Sequence, residues 1–526
     1  MTSNIPADSP TPFQPFEVLP ADRYNQTLLD RVHPADWTNP TPTGPYDLVV
    51  IGAGTAGLVV AAGAAGLGLG LKVALIERHL MGGDCLNVGC VPSKCLIRSS
   101  RVAADMRATE AFGINPPEKI DVDFAAVMER LRKIRAGISH HDSADRFTGI
   151  GVDMYIGSGR FEKDGSVTVA DDRGETSSLR YKKAVIATGA RAVRPDVPGL
   201  EEAGYLTNET VFSLTERPAR LLVVGGGPIG CELAQAFSRL GSQVTLIHRG
   251  AHLLDREDPD AAAIVQEQFK DEGIELILAS QPKRVEKTML GKTVVFERDG
   301  EEASVTVDEI LIGAGRAPNV EHLNLNAVGV KYDRRGVKVN DFLQTTNPKI
   351  YAAGDICLDW KFTHAADAAA RIVIQNTLFA PFGKFRAKFS DVTIPWVTFT
   401  DPEVAHVGLY ERDAKARKIA YETIVIAMEN IDRAIADGET DGFLKVIHAK
   451  GSDKILGATL VSRHAGETIG MMTSAIVNDI GLGSLASVIQ PYPVQADCIK
   501  KAADAYKKTK LTAFTKRLLG LLNRLA

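Results

Sequence analysis

Cysteine is scarce in this chain: Cys85, Cys90, Cys95, Cys231, Cys357 and Cys498 are its only thiols in 526 residues. That is far too few for a secreted scaffold stapled by disulfides, so any disulfide here is expected to be catalytic rather than structural. Long apolar runs are missing as well, since no stretch approaches the roughly 18 uninterrupted apolar residues of a membrane span. The N-terminus lacks a basic segment followed by an apolar run, so no secretory signal is expected and the chain reads as cytoplasmic. A net charge of −4 leaves no domain-scale basic surface, which argues against a nucleic-acid partner. With 45% hydrophobic and 24% charged residues the composition is that of an ordinary globular protein. Its length exceeds what one core supports and suggests about three or four folded units.

Residues 1–45 carry nine prolines and no sustained periodicity, and are expected to form an extended arm. From Tyr46, YDLVVIGAGTAGLVVAAGAA reads as a buried strand, a glycine turn and a helix, and LKVALIE at 71–77 as the next parallel strand. The same grammar returns at 220–247 in RLLVVGGGPIGCELAQAFSRLGSQVTLI. Between these, KKAVIATGARAVRPDVPG at 182–199 reads as a strand ending at Thr188 and Gly189 and running into a proline-marked crossover. DEILIGAGRAPN at 308–319 and KIYAAGDI at 349–356 read as further strands that end in glycine, and the chain beyond about Ser390 as a separate α+β unit.

In the first glycine turn Gly52, Gly54 and Gly57 bracket Thr55 and Ala56 between a strand and a helix, and Glu77 follows at the end of the next strand. Glycine lets backbone amides approach a pyrophosphate, the helix N-terminus favours its charge, and a strand-end carboxylate can accept from a ribose hydroxyl. The pattern predicts dinucleotide binding. Next comes GGDCLNVGCVPSK at 82–94, which sets Cys85 and Cys90 five residues apart. Five residues of straight helix rise about 7.5 Å, beyond the roughly 7 Å Cα limit of a disulfide, so the intervening chain must contract, and its glycines permit that. Pro92 reads as a first helical residue, which puts Cys90 near a helix N-terminus, where a thiolate is favoured. Two inert thiols or half of a metal site are the bland alternatives, but no second cysteine pair or histidine cluster stands at zinc spacing, so no structural metal is expected.

Gly225, Gly227 and Gly230 repeat the phosphate-binding pattern, and two such sites in one chain suggest a reductant and a relay, which fits FAD with a nicotinamide. A carboxylate at the end of the second strand would bond the 2′-hydroxyl of NAD. Here His248 and Arg249 stand instead, which favours NADPH and leaves NADH as the alternative.

The order GAGTAG, GGDCLNVGCVPSK, ATG, GGGPIGCE, GAGRAPN and YAAGD resembles the class I pyridine nucleotide-disulphide oxidoreductases, the group of glutathione reductase, lipoamide dehydrogenase and mercuric reductase, over residues 46 to about 506. The resemblance implies an α/β fold: two Rossmann-like dinucleotide-binding domains of the glutathione-reductase type and a C-terminal α+β dimerisation domain. It implies an FAD-binding domain at 46–190 and 311–389, an NAD(P)-binding domain at 191–310 and an interface domain at 390–506. By that resemblance FAD occupies the first site, with Asp84, Lys94, Gly189, Asp355 and Ala365 among its contacts, and Cys90 lies beside the flavin as the thiolate. Cys85 is then the interchange thiol that meets substrate. Glu232 matches the residue that pairs with Lys94 near the nicotinamide, and Gly315 belongs to the NAD(P)H side.

Toward the end of the family pattern, glutathione reductase and lipoamide dehydrogenase carry a His held by a Glu, which protonates a leaving thiolate. In PYPVQAD at 491–497, Tyr492 stands at the His position and Asp497 at the Glu position. A phenol with a reference pKa of about 10 shuttles protons poorly near neutrality, which disfavours an ordinary disulfide substrate. Mercuric reductases are similar to this chain in carrying Tyr there, and in AQAFSRLGSQVT and FTDPEVAHVG. A soft cation suits paired thiolates, so Cys85 and Cys90 are candidate transient ligands of one. The chain departs from those enzymes in closing LLNRLA, without a terminal cysteine pair, and in lacking an N-terminal metal-binding domain. The expected acceptor is therefore a soft metal ion; the alternatives are a small disulfide, a quinone, or the role of a membrane-associated sensor that turns over slowly. Cys498 reads as a structural thiol. The resemblance also implies a homodimer in which Tyr492 and Asp497 complete the partner's site.

Residues 507–526 contain Lys507, Lys508, Lys510, Lys516, Arg517 and Arg524 and no acid, with apolar residues spaced by three and four. They are expected to form a basic amphipathic helix that either packs against the dimer or lies on an anionic membrane surface, which would make the protein peripheral there.

Overall fold

The computed structural model describes residues 17–526 apart from Asp299. The chain divides into two compact units, one comprising the described residues up to Gly225 with Arg239–Gln243 and Pro282–Val392, the other Gly226–Ser238, Val244–Gln281 and Thr393–Ala526. The segment 191–310, expected as one nucleotide-binding domain, is thus shared between them.

The first unit is built on a sheet in the order Val152–Ile156, Val73–Glu77, Tyr46–Ile51, Thr176–Ile186, Ser166–Ala170, Ser158–Phe161, with Ile350–Ala352 also paired to Thr176–Ile186. Tyr46–Ile51 runs parallel to both neighbours, Val50 standing opposite Leu75 and Val185. From Leu48 onward its run is apolar because both faces are covered, as is usual for a parallel strand. Leu48 and Val50 point into one core, Val49 and Ile51 into the other. The helix Thr55–Ala65 that follows is made of small residues and packs against Thr363–Leu378. A Cβ on Gly63 would stand 2.5 Å from the Ile374 Cδ1 methyl, so a larger residue there would need that side chain to shift.

The N-terminal segment is not extended throughout. Arg23–Val32 is a helix, capped by Asp22, whose side chain accepts from the amides of Tyr24 and Asn25. Leu28 and Val32 are wholly buried in the same core as Leu48 and Val50. The prolines that suggested an arm flank this helix at Pro20 and Pro34 and do not enter it. Residues 1–16 of the expected arm lie outside the described residues.

In the second unit Thr245, Leu246 and Ile247 pair in parallel with Glu275, Leu276 and Ile277. The C-terminal part is an antiparallel sheet in the order Trp396–Thr398, Glu403–Gly408, Ile455–Ser462, Phe443–Ala449, Tyr421–Ala427, packed with the helices Ala465–Val477 and Asp497–Thr509. Cys498 is fully buried in that core. The basic tail is two helices rather than one. The first ends at Thr509, and Thr512 caps a second, Ala513–Leu525, by accepting from the Thr515 amide.

Candidate active site

The first glycine turn is contracted to the limit of what glycine allows. A Cβ on Gly57 would lie 1.7 Å from the Gly52 carbonyl oxygen, and one on Gly83, where φ is +55°, would lie 2.6 Å from the Gly54 Cα. Gly54 caps the helix Thr55–Ala65 without any side-chain acceptor, so the first-turn amides at Thr55 and Ala56 keep their donors for a ligand. Glu77 folds back on this turn: its carboxylate accepts from the Ala53 amide at 2.6 Å and from the His79 amide at 2.8 Å. Burial pushes the Glu77 carboxyl up, and those amides pull it back. Gly354, with φ of +82°, brings Asp355 against the same helix start, its Cβ direction blocked by Ala56 at 3.2 Å and Ala366 at 3.5 Å.

Cys85 lies in its own short helical turn, Gly83–Asn87, and Cys90 is itself the first residue of the helix Cys90–Arg107, with Pro92 two positions further in rather than first. The link between them is shortened at Gly89, where a Cβ would meet the Asp84 carbonyl at 2.7 Å. Neither cysteine is in a disulfide; Cys85 is half-buried and Cys90 exposed. Cys90 Sγ is 3.3 Å from Thr363 Oγ1 at the start of the helix Thr363–Leu378. Cys85 is raised far above the ordinary thiol range, first by its hydrogen bond with Cys90 and then by burial, with Thr363 acting in the opposite sense.

Arg316, from the GAGRAPN motif, donates to the Asp84 carboxylate, to Asp355 Oδ2 at 3.2 Å and to the Ala190 carbonyl at 2.8 Å. Burial raises the Asp355 carboxyl, and Arg316 opposes that. Asn319 of the same motif closes the ATG turn, donating to the Thr188 carbonyl at 2.9 Å while its amide donates to the Gly189 carbonyl at 3.0 Å. Gly315 has φ of +120°, and its carbonyl accepts from the Val193 amide. Ala365 is fully buried, and Lys94 Nζ donates to Ser93 Oγ at 3.3 Å. Arg316, Asn319 and Thr363 were not among the residues singled out from the sequence. The first two stand in the GAGRAPN motif itself, and Thr363 lies outside every motif.

The second glycine turn carries its own strand-end side chain. The Gly226 amide donates to His248 Nδ1 at 3.0 Å, so Nε2 bears the hydrogen and donates to Asp255 Oδ1 at 3.0 Å. His248 is buried, whereas Arg249 is exposed and makes no ion pair among the described residues. No neighbour comes within 4 Å of a Cβ on Gly227, which leaves open space at the turn, while Gly225 has φ of +113°. Gly230 lies in the helix Pro228–Arg239, and the neighbouring Glu232 is buried and accepts from the Phe399 amide at 2.9 Å.

Tyr492 is exposed, and its phenol donates to Asp432 Oδ2 at 2.7 Å, a bond that raises its pKa. Asp497, expected to stand in the role of the orienting acid, begins the helix Asp497–Thr509 and lies 3.9 Å from Lys501. The carboxylate bonded to Tyr492 thus comes from elsewhere in the chain, and nothing in the PYPVQAD stretch announced it.

An uncapped helix start behind a turn that only glycine can make, a strand-end carboxylate and a thiol pair beside it fit FAD. A second glycine turn with open space fits a nicotinamide nucleotide. Together they define a flavoprotein that handles thiols and disulfides. The chain belongs to the pyridine nucleotide-disulphide oxidoreductases: that family's model matches residues 46–370, and the model of its dimerisation domain matches residues 394–503. It is accordingly an FAD-dependent oxidoreductase that uses NAD(P)H, and its dimerisation domain supports a homodimer. It is 33% identical to the mercuric reductase of Staphylococcus aureus over 88% of this chain and 83% of that one. It is 31% identical to the dihydrolipoyl dehydrogenase of Geobacillus stearothermophilus over 89% of this chain and 98% of that one. Among solved structures, the Cu(II) complex of a mutant of the HOCl-induced flavoprotein disulfide reductase RclA from Escherichia coli aligns with a TM-score of 0.77 at 26% identity, covering 88% of this chain and 99% of that one. Among the described residues no helix is long and apolar enough to cross a membrane.

Proposed function

We propose that this chain passes electrons from NADPH through Cys85 and Cys90 to a soft metal ion of the Hg(II) type. When bound, FAD supplies the two-electron relay between the nicotinamide and the thiol pair. Overall, NADPH and a divalent ion give NADP⁺, a proton and the zero-valent metal, so two electrons and one hydrogen are accounted for. Cys85 is the thiol that meets the acceptor and Cys90 its redox partner, held next to Thr363. Asp84, Lys94, Gly189, Asp355 and Ala365 line the flavin side, and Glu232 and Gly315 the nicotinamide side. In the dimer, Tyr492 and Asp497 of one protomer complete the site of its partner.

The observation that carries this reading is Tyr492. Its bond to Asp432 keeps the phenol protonated near neutral pH, so it offers oxygen lone pairs to an ion but is a poor shuttle for the proton that thiol and disulfide exchange requires. The likeness to mercuric reductases and to a reductase seen with Cu(II) supports the same class of acceptor. Preference for NADPH rests on Arg249, the strand-end cation that is exposed, since both ring nitrogens of His248 are already engaged.

The deciding experiment is NADPH oxidation by the purified flavoprotein, supplied in turn with Hg(II) in excess thiol, lipoamide, glutathione disulfide and a quinone. Oxidation that follows Hg(II) supports the reading. Faster oxidation with lipoamide or glutathione disulfide would overturn it in favour of a disulfide reductase, the reading that the dihydrolipoyl dehydrogenase likeness suggests.

A further inference from the structure

The helix Ala513–Leu525 buries none of its residues. Phe514, Leu518, Leu519, Leu521, Leu522 and Leu525 are all exposed, Phe514 and Leu525 by about three quarters. Successive residues of a helix turn by about 100°, which puts Phe514, Leu518, Leu521, Leu522 and Leu525 within an arc of about 100°, with Leu519 on its flank. Lys516 and Asn523 occupy the opposite side, and Arg517 and Arg524 the flank away from Leu519. This helix is not a loose end, because the preceding helix Asp497–Thr509 is anchored through Cys498, Ile499, Ala502, Ala503 and Tyr506, and Thr512 caps the new start.

Along the sequence, the charged side chains of this tail are all of one sign. The last acid of the chain is Asp504; beyond it Lys507, Lys508, Lys510, Lys516, Arg517 and Arg524 contribute six positive side chains. A second copy of the helix laid on the stripe would bring another such set of cations against the first, so self-pairing is opposed by its own charge. An anionic lipid bilayer answers both features at once, its headgroups facing the cations and its acyl boundary receiving the leucines and Phe514. We infer that Ala513–Leu525 docks this oxidoreductase on the surface of an anionic phospholipid membrane, lying in the interface without crossing it. In a homodimer the two tails would act together, which raises the apparent affinity beyond that of one helix.

The inference is independent of the acceptor and is tested on the full-length holoenzyme by co-sedimentation with vesicles of phosphatidylglycerol mixed with phosphatidylcholine, or of phosphatidylcholine alone. Partition onto the anionic vesicles should exceed that onto the neutral ones by about 10-fold or more and fall steeply with added salt. Replacing Leu518→Asp with Leu522→Asp, or Lys516→Glu with Arg517→Glu, should lower it by about 10-fold or more. Because these side chains are exposed, bound flavin and NADPH oxidation should remain unchanged in both variants. The inference is overturned by absence of binding to anionic vesicles at low salt. It is equally overturned by binding that survives Leu518→Asp with Leu522→Asp. Sedimentation velocity supplies the third outcome: if those leucine replacements shrink the oligomer, the stripe is occupied by another copy of the chain and the membrane assignment fails.

Discussion

At the first glycine turn the strand ends in an anion, Glu77, which gathers the amides of Ala53 and His79. At the second it ends in His248, a neutral ring that takes one amide, from Gly226, and passes its own hydrogen to Asp255. In both, the strand-end side chain braces the backbone of its own turn. The difference lies in what is left for a ligand. Glu77 still has carboxylate lone pairs to offer a ribose, whereas both ring nitrogens of His248 are engaged and the neighbouring Arg249, on which the proposed NADPH preference rests, is exposed. The first turn is also tied to a thiol pair and to the helix Arg23–Val32.

Four replacements would break or sharpen this comparison. Cys85→Ser should lower acceptor reduction by about 10³-fold or more while the protein keeps its flavin spectrum; a colourless product would instead place Cys85 in the support of the first turn. Leu28→Ala, which hollows the core behind that turn, should destabilise the protein by about 2–5 kcal/mol in denaturant titration without changing nucleotide preference. Arg249→Glu should reduce the ratio of kcat/KM for NADPH over NADH by about 10-fold, mostly through KM for NADPH. An unchanged ratio would return the discrimination to His248.

The smallest effect concerns pH. A carboxyl whose folded pKa is raised adds stability below its unfolded value of about 4, and that contribution is lost as pH rises through the folded value. The flavin-free protein should therefore lose stability across that interval through Glu77, and Glu77→Gln should flatten the slope by about one or two degrees in Tm. A steeper slope in the variant would mean that the amides of Ala53 and His79 outweigh burial.

Much of this was legible because glycines at fixed spacing leave few backbone options. The turn at Gly52, Gly54 and Gly57, its strand and its helix follow from hydrophobic runs and hydrogen-bonding geometry within some thirty residues. What could not be read depends on pairs far apart in sequence. Tyr492 meets Asp432, His248 meets Asp255 and Arg316 meets Asp84, and no local pattern announces any of them. The helix Arg23–Val32 was hidden for another reason, since the prolines around it dominate the composition of the segment although none lies inside it. The break at Lys510–Thr512 is not legible in the pattern because the apolar spacing runs through Leu511 without interruption, and the threonine cap alone marks the new start.

One guanidinium gives that N-terminal helix a reach beyond its size. Arg135, buried and with its pKa lowered to about 10, donates to Asn25 Oδ1 at 2.6 Å and to the Asn87 carbonyl at 2.7 Å. Asn87 closes the short turn that carries Cys85, and its own side chain donates to the carbonyls of Met81 and Gly83. Trimming the chain back to Tyr46 would strand this cation beside the thiol loop with half of its partners gone. A fusion partner or affinity tag at this end of the chain is thus best placed upstream of the helix Arg23–Val32, which leaves the brace on the Cys85 turn in place.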